Sequence, residues 1–128
     1  MSLDDRRVDL VIDQGADFAI QIYWTDPASN PIPVVAPIRM DIKSTTGVVL
    51  HSLITNADEE DESNVLYNTE SGLIQLTIDA EHTAAMPAGE HRYDLFVTYQ
   101  DNRITNSTRL QRLIWGTVYV TARVTTNV

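Results

Sequence analysis

Residues 80–99 read AEHTAAMPAGEHRYDLFVTY. Asp79, just before them, is a good N-cap residue, and AEHTAAM has the length of a short helical turn. Pro87 ends that turn, because proline lacks the N–H a helix needs. Pro-Ala-Gly then redirects the chain into HRYDLFVTYQ, where Tyr93, Leu95, Val97 and Tyr99 recur at the two-residue period of a strand. A helical turn wedged between strands takes the chain from one sheet to another in few residues. The stretch therefore predicts two sheets, with residues 80–86 as the crossover between them.

Outward from this join the same alternation dominates. VDLVID, residues 8–13, alternates and ends at Gln14-Gly15. In DFAIQIYW, residues 17–24, Phe18, Ile20, Ile22 and Trp24 share a face. TDPASNPIP is turn chemistry. In VVAPIRMDIKS, Ile38, Met40 and Ile42 oppose Arg39, Asp41 and Lys43, and Thr46-Gly47 turns the chain into VVLHSLI. Residues 56–72 are polar and acidic and read as a long exposed loop. LIQLTI, residues 73–78, is another strand, Asp101-Asn102 another turn, and RITNSTRLQRLIWGTVYVTARVTTNV one or two strands. Gly116 within it marks a bulge or a close backbone approach. About seven or eight strands without a long helix predict an all-β sandwich, with a small barrel as the alternative. The 128 residues read as one domain, 1–128.

Composition narrows the function. The 18 acidic residues against 9 Lys and Arg give a net charge of −9, which repels nucleic acid, and no basic stripe is visible. The absence of cysteine excludes disulfides, thiolate metal sites and a cysteine nucleophile. MSLDDRRVDL carries no signal-like apolar run, and no stretch is long enough to span a membrane, so synthesis in a cytoplasm and no membrane partner are expected.

Reaction chemistry is hard to find. His51, His82 and His91 show no metal-ligand spacing; His82 and His91 read as solvent-facing. There is no GxSxG elbow and no glycine-rich phosphate loop. Glu59, Glu60, Glu62, Glu70, Glu81 and Glu90 lie mostly in loops, with no aromatic platform around them for glycosidase chemistry. No catalytic residue, cofactor or metal site is expected. The run Asp58, Glu59, Glu60, Asp61, Glu62 lacks calcium-loop spacing and reads as a solvated loop or a contact to a basic partner. Asn106-Ser-Thr has a sequon pattern but reads as chance. Tyr23, Trp24, Tyr93, Tyr99, Trp115 and Tyr119 lie in predicted strands and serve either the core or an interface. Tyr119 and Arg123 fall on one face of the last strand and are the interface candidates.

Several stretches in order resemble small structural and tail-associated proteins of tailed bacteriophages and prophages. The matching residues are Gln14, Gly15 and Phe18; Arg39, Ile42 and Gly47; Thr83, Met86, Pro87, Ala88, Gly89, Tyr93, Asp94 and Leu95; and Leu113, Gly116, Val118 and Val120. Met86 stands where leucine is usual, His91 where an aromatic is usual, and the acidic stretch is longer than typical. The resemblance implies an immunoglobulin-like antiparallel β-sandwich assembled into a virion. Tail, baseplate or fibre attachment is its implied place, with other virion proteins or further copies of itself as partners. A carbohydrate-binding or adhesin-type sandwich is the alternative. VDLVID and the terminal VYVTARVT are the expected free edges, and deleting residues 1–13 is expected to impair assembly more than folding.

Overall fold

A computed structural model describes residues 6–55, 64–101 and 107–123. The elements run β1 Leu10–Asp13, β2 Phe18–Tyr23, β3 Val34–Lys43, β4 Val49–Thr55, β5 Val65–Asn68, β6 Leu73–Ile78, α1 Ala80–Ala84, β7 Gly89–Asp101 and β8 Ser107–Thr121. They form a five-stranded sheet of order β1-β8-β7-β3-β4 and a three-stranded sheet of order β2-β6-β5. The two sheets make an immunoglobulin-like β-sandwich, which settles the choice against a barrel.

The alternation does what it predicts. Ile38, Met40 and Ile42 of β3, Ile74, Leu76 and Ile78 of β6, and Tyr93, Leu95 and Val97 of β7 all face inward. Together with Ile12, Val34, Val118 and Val120 they form one buried apolar cluster, against which Phe18, Ile20, Ile22 and Trp24 pack. Burial of this surface is the main term that favours the fold. Trp24 meets Tyr99 edge to face, with ring centroids 5.1 Å apart.

Several expectations change. The stretch read as a loop contains β5, which pairs antiparallel with β6 and buries Val65; three consecutive strand formers, Val65-Leu66-Tyr67, override their polar surroundings. The sandwich is not wholly antiparallel, because β1 pairs parallel with β8, Leu10 opposite Val118 and Asp13 opposite Thr121. Consequently β8 is no free edge: it lies between β1 and β7. And β1 buries Leu10 and Ile12, so deleting residues 1–13 takes two side chains from the core and carries a substantial folding cost of its own.

Residues 80–86 are the crossover, since α1 links β6 of one sheet to β7 of the other. Asp79 caps it by accepting a hydrogen bond from the His82 backbone N–H. Thr83 fixes it in place. Its hydroxyl, fully buried, donates to the Ala16 carbonyl at 2.9 Å and accepts from the Gly15 N–H at 3.0 Å. Gln14 completes the joint: its Nε2 donates to the Met86 carbonyl at 2.7 Å, and its Oε1 accepts from the Arg123 N–H at 3.0 Å. The β1–β2 turn, the crossover and the end of β8 are thus tied at one point.

His91, expected in solvent, is buried beside this joint, and its Nε2 lies 2.7 Å from the Pro87 carbonyl. Position 91 has the same parity as Tyr93, Leu95 and Val97, so the strand turns it inward. His82 is exposed as expected, and its ring lies 5.1 Å from that of the half-buried His51 on β4. Burial first, then the nearby His82, pushes the His51 pKa below its ordinary 6.5, against an opposing pull from Asp79. The unfolded chain then binds that proton more readily than the folded one. The stability His51 confers is therefore full above about pH 6.5 and is lost as pH falls through its lower folded value. Urea midpoints measured at about pH 7 and about pH 5 should fall with acidification, and the fall should be smaller in His51→Gln. An identical fall in the variant assigns the effect to other groups.

Candidate functional site

The outward face of the five-stranded sheet carries a cleft of about 420 Å³. Strand phase builds it. Inward residues of β3, β7 and β8 form the core, so Asp41 and Lys43, Arg92 and Asp94, and Trp115 and Thr117 are carried at the opposite face or its edge. Register sets them in rows: Lys43–Arg92–Thr117, and beside it Asp41–Asp94–Trp115. The N-terminal segment supplies one wall, as Arg7 bridges to Trp115 and the Val8 N–H donates to the Trp115 carbonyl at 2.9 Å.

Gly116 lets that segment in. A Cβ there would lie 2.3 Å from the Val8 carbonyl oxygen and 2.9 Å from Asp9 Oδ1. The sequence-based alternatives for Gly116 resolve to close approach; the bulge in β8 lies elsewhere, at Leu113, where the β7 partners step from Ile114 to Arg112. The Val8 carbonyl also accepts a hydrogen bond from the buried Tyr93 hydroxyl. Burial, with the Asp9 charge adding to it, raises the Tyr93 pKa and keeps that hydroxyl a donor. Asp9 accepts from the Thr117 N–H at 3.0 Å and from Arg7 Nε at 3.2 Å, and these bonds hold its carboxyl below the usual range.

Two guanidinium groups lie over the Trp115 ring, Arg7 at 5.6 Å from the centroid and Arg112 at 5.3 Å. Arg7 also reaches the Thr117 hydroxyl at 3.2 Å, and the Arg112 carbonyl accepts from Arg6 at 3.0 Å. Asp41 is engaged from outside the cleft by the Ser52 hydroxyl and by Arg39 at 3.0 Å. Partial burial pushes its carboxyl up, but those two hydrogen bonds outweigh it and hold the group below its ordinary value. Lys43, Arg92 and Arg112 make no ion pair among the described residues. The cleft thus gathers four cations, Arg7, Lys43, Arg92 and Arg112, against Asp41, Glu90 and Asp94.

This grouping was not legible as a stripe, because its cations Arg7, Lys43, Arg92 and Arg112 lie 20 or more residues apart along the chain (Arg92 to Arg112 is 112 − 92 = 20) until the N-terminal segment, β3, β7 and β8 meet. The signal available was phase: each cation on β3 and β7 alternates with core residues. Of the interface candidates, Tyr119 is 41% exposed and stands between Val11 and Glu90 on the same outward face. Arg123 lies two residues past the end of β8, with its side chain beside Gly15. Asp58, Glu59, Glu60, Asp61 and Glu62 lie outside the described residues, as do Asn102 and Asn106. Among the described residues no cluster of His, Asp or Glu has the geometry of a metal site, and no helix is long and apolar enough to cross a membrane.

A family model described as the LtfC-like β-sandwich domain matches residues 4–121. The chain belongs to the LtfC-like family. That match spans both sheets and every cleft residue, and supports a β-sandwich of the phage type. A search of curated proteins finds no significant match. Among solved structures, the LtfC-like chain is similar to the extracellular domain of the voltage-gated sodium channel β4 subunit, studied as parallel homodimers in cell–cell adhesion. Identity is 10%, coverage 93% of this chain and 94% of that one, and the TM-score 0.42. It is also similar to Tim-2, at 10% identity, 94% and 97% coverage and TM-score 0.43. A chain from a structure on T-cell activation by the superantigen toxic shock syndrome toxin-1 shows 11% identity, 90% and 92% coverage and TM-score 0.44.

Proposed function

We propose that this chain is a non-enzymatic structural module of a tailed-bacteriophage virion, built into the tail, baseplate or fibre-attachment region. The observation that carries the reading is the LtfC-like match over residues 4–121. β-sandwiches of this kind are typically binding modules rather than catalysts. The residues that carry the phage-protein resemblance add weight because they touch: Gln14 meets Met86, and Gly15 meets Thr83. They form a rigid joint, which suits a part that must hold its faces fixed against neighbours. The alternative, a glycan-binding module, wants an open aromatic platform. Tyr23, Tyr67 and Tyr119 are exposed on the strands, but Trp115, the tryptophan of the cleft, lies under two guanidinium groups, and this favours contacts to protein at the cleft.

Particles purified from a phage-producing culture test the reading. An antibody raised against the recombinant chain should label one end of the particle in immunogold microscopy, and mass spectrometry should find the chain in the particles. A chain abundant in the soluble lysate and missing from purified particles would refute the virion assignment.

A further inference from the structure

We propose that the cleft between β3, β7 and β8 docks an extended acidic segment of a neighbouring protein. The proposal rests on the assembly-module reading and adds the chemistry of the partner. The chain has only nine Lys and Arg residues and a net charge of −9, yet four of those nine line one cleft. Two of them, Lys43 and Arg92, are direct cross-strand partners. Like charges placed opposite each other destabilise a sheet. Neither makes an ion pair among the described residues; Lys43 is attracted at longer range to Asp41, and the cations of the cleft still outnumber its carboxylates by four to three.

Arg112, one of the two arginines over Trp115, likewise makes no ion pair among the described residues. The Arg112 guanidinium carbon lies 5.3 Å from the ring centroid, and a guanidinium group held near a ring can still fork its N–H groups onto a carboxylate. The Asp41 charge is answered chiefly by Arg39 and Ser52, with Lys43 adding to them at longer range, and Arg7 is answered by Asp9; Glu90 and Asp94 then share the cleft with Lys43, Arg92 and Arg112. An occupant bearing carboxylates satisfies this set; one bearing further cations does not. The overall charge sharpens the choice. At long range it repels long polyanions most, so the cleft favours a short acidic segment, whose contacts are local. The covered Trp115 ring favours peptide over an anionic glycan, since stacking on a sugar needs an open face.

Titration of the purified full chain with a short synthetic peptide of alternating Asp and Glu tests this. Two-dimensional 1H–15N NMR reports each backbone amide and the Trp115 indole N–H. Saturable shifts should be confined to residues around Lys43, Arg92, Arg112 and Trp115, and should weaken as salt is raised. The double variant Lys43→Gln, Arg92→Gln changes exposed side chains only and removes a like-charge pair, so a thermal midpoint no lower than that of the unaltered chain verifies its fold. Its affinity should fall by roughly tenfold or more. The proposal is overturned by an absence of saturable shifts, by equal binding of the matching Asn/Gln peptide, or by undiminished affinity in the double variant. Polygalacturonate binding as tightly at the same residues overturns it too, and assigns the cleft to anionic glycan. None of these results bears on particle location, so failure here is distinguishable from failure of the virion reading.

Discussion

Replacing Gly116 with valine should lower the folding free energy by on the order of 3 kcal/mol. The backbone of Gly116 is not in the left-handed region, so the cost is one of space. The new Cβ would lie 2.3 Å from the Val8 carbonyl oxygen, closer than any real contact, and that oxygen belongs to backbone that cannot swing aside like a side chain. Residues 8 and 9 must therefore lift away. With them go the Val8-to-Trp115 hydrogen bond, the bond from Tyr93 to the Val8 carbonyl, and the Asp9 acceptor of the Thr117 N–H. The Tyr93 hydroxyl is then buried without a partner, which carries its own penalty. Equilibrium urea unfolding followed by far-ultraviolet circular dichroism measures the loss. Gly116→Ala should show most of it, because the first carbon makes the clash. A change within about 0.5 kcal/mol, the range of an ordinary surface substitution, would mean the N-terminal segment does not sit over β8 as described.

Thr83→Val should cost roughly 2 kcal/mol although it preserves shape. The substitution swaps a hydroxyl for a methyl at a site with no solvent access. The Gly15 N–H loses its acceptor and the Ala16 carbonyl its donor, and both are left in a water-poor joint. Thr83→Ser keeps both bonds and loses only a methyl, so it should fall well short of the valine variant in the same unfolding measurement. The reverse order, serine worse than valine, would show that packing and not hydrogen bonding holds the crossover.

Much of this was legible before any coordinates. The alternation in 17–24, 34–43, 73–78 and 91–100 names the inward residues, because a strand with one buried face has no other way to place them. Pro87 and Asp79 locate the crossover because each has a local stereochemical effect. His91 was legible and misread: its parity matched Tyr93, and residue type outweighed phase. β5 was hidden by its acidic surroundings. The parallel β1–β8 pair was not legible, since partners 108 residues apart in register leave no local trace (118 − 10 = 108). The cleft failed for the same reason. Its cations are scattered along the chain, and only the β3–β7–β8 register brings them to one face.

That parallel pair has a mechanical consequence. The chain enters β1 at Leu10 and leaves β8 at Thr121, at opposite ends of the same short ladder. Tension applied between those two points pulls the strands past each other lengthwise. All the rungs then share the load at once, where an antiparallel terminal pair pulled from one end would unzip rung by rung. A module strained along its length would be clamped by its first and last strands, and its rupture force would be set by four residues of β1 rather than by the large core beneath them.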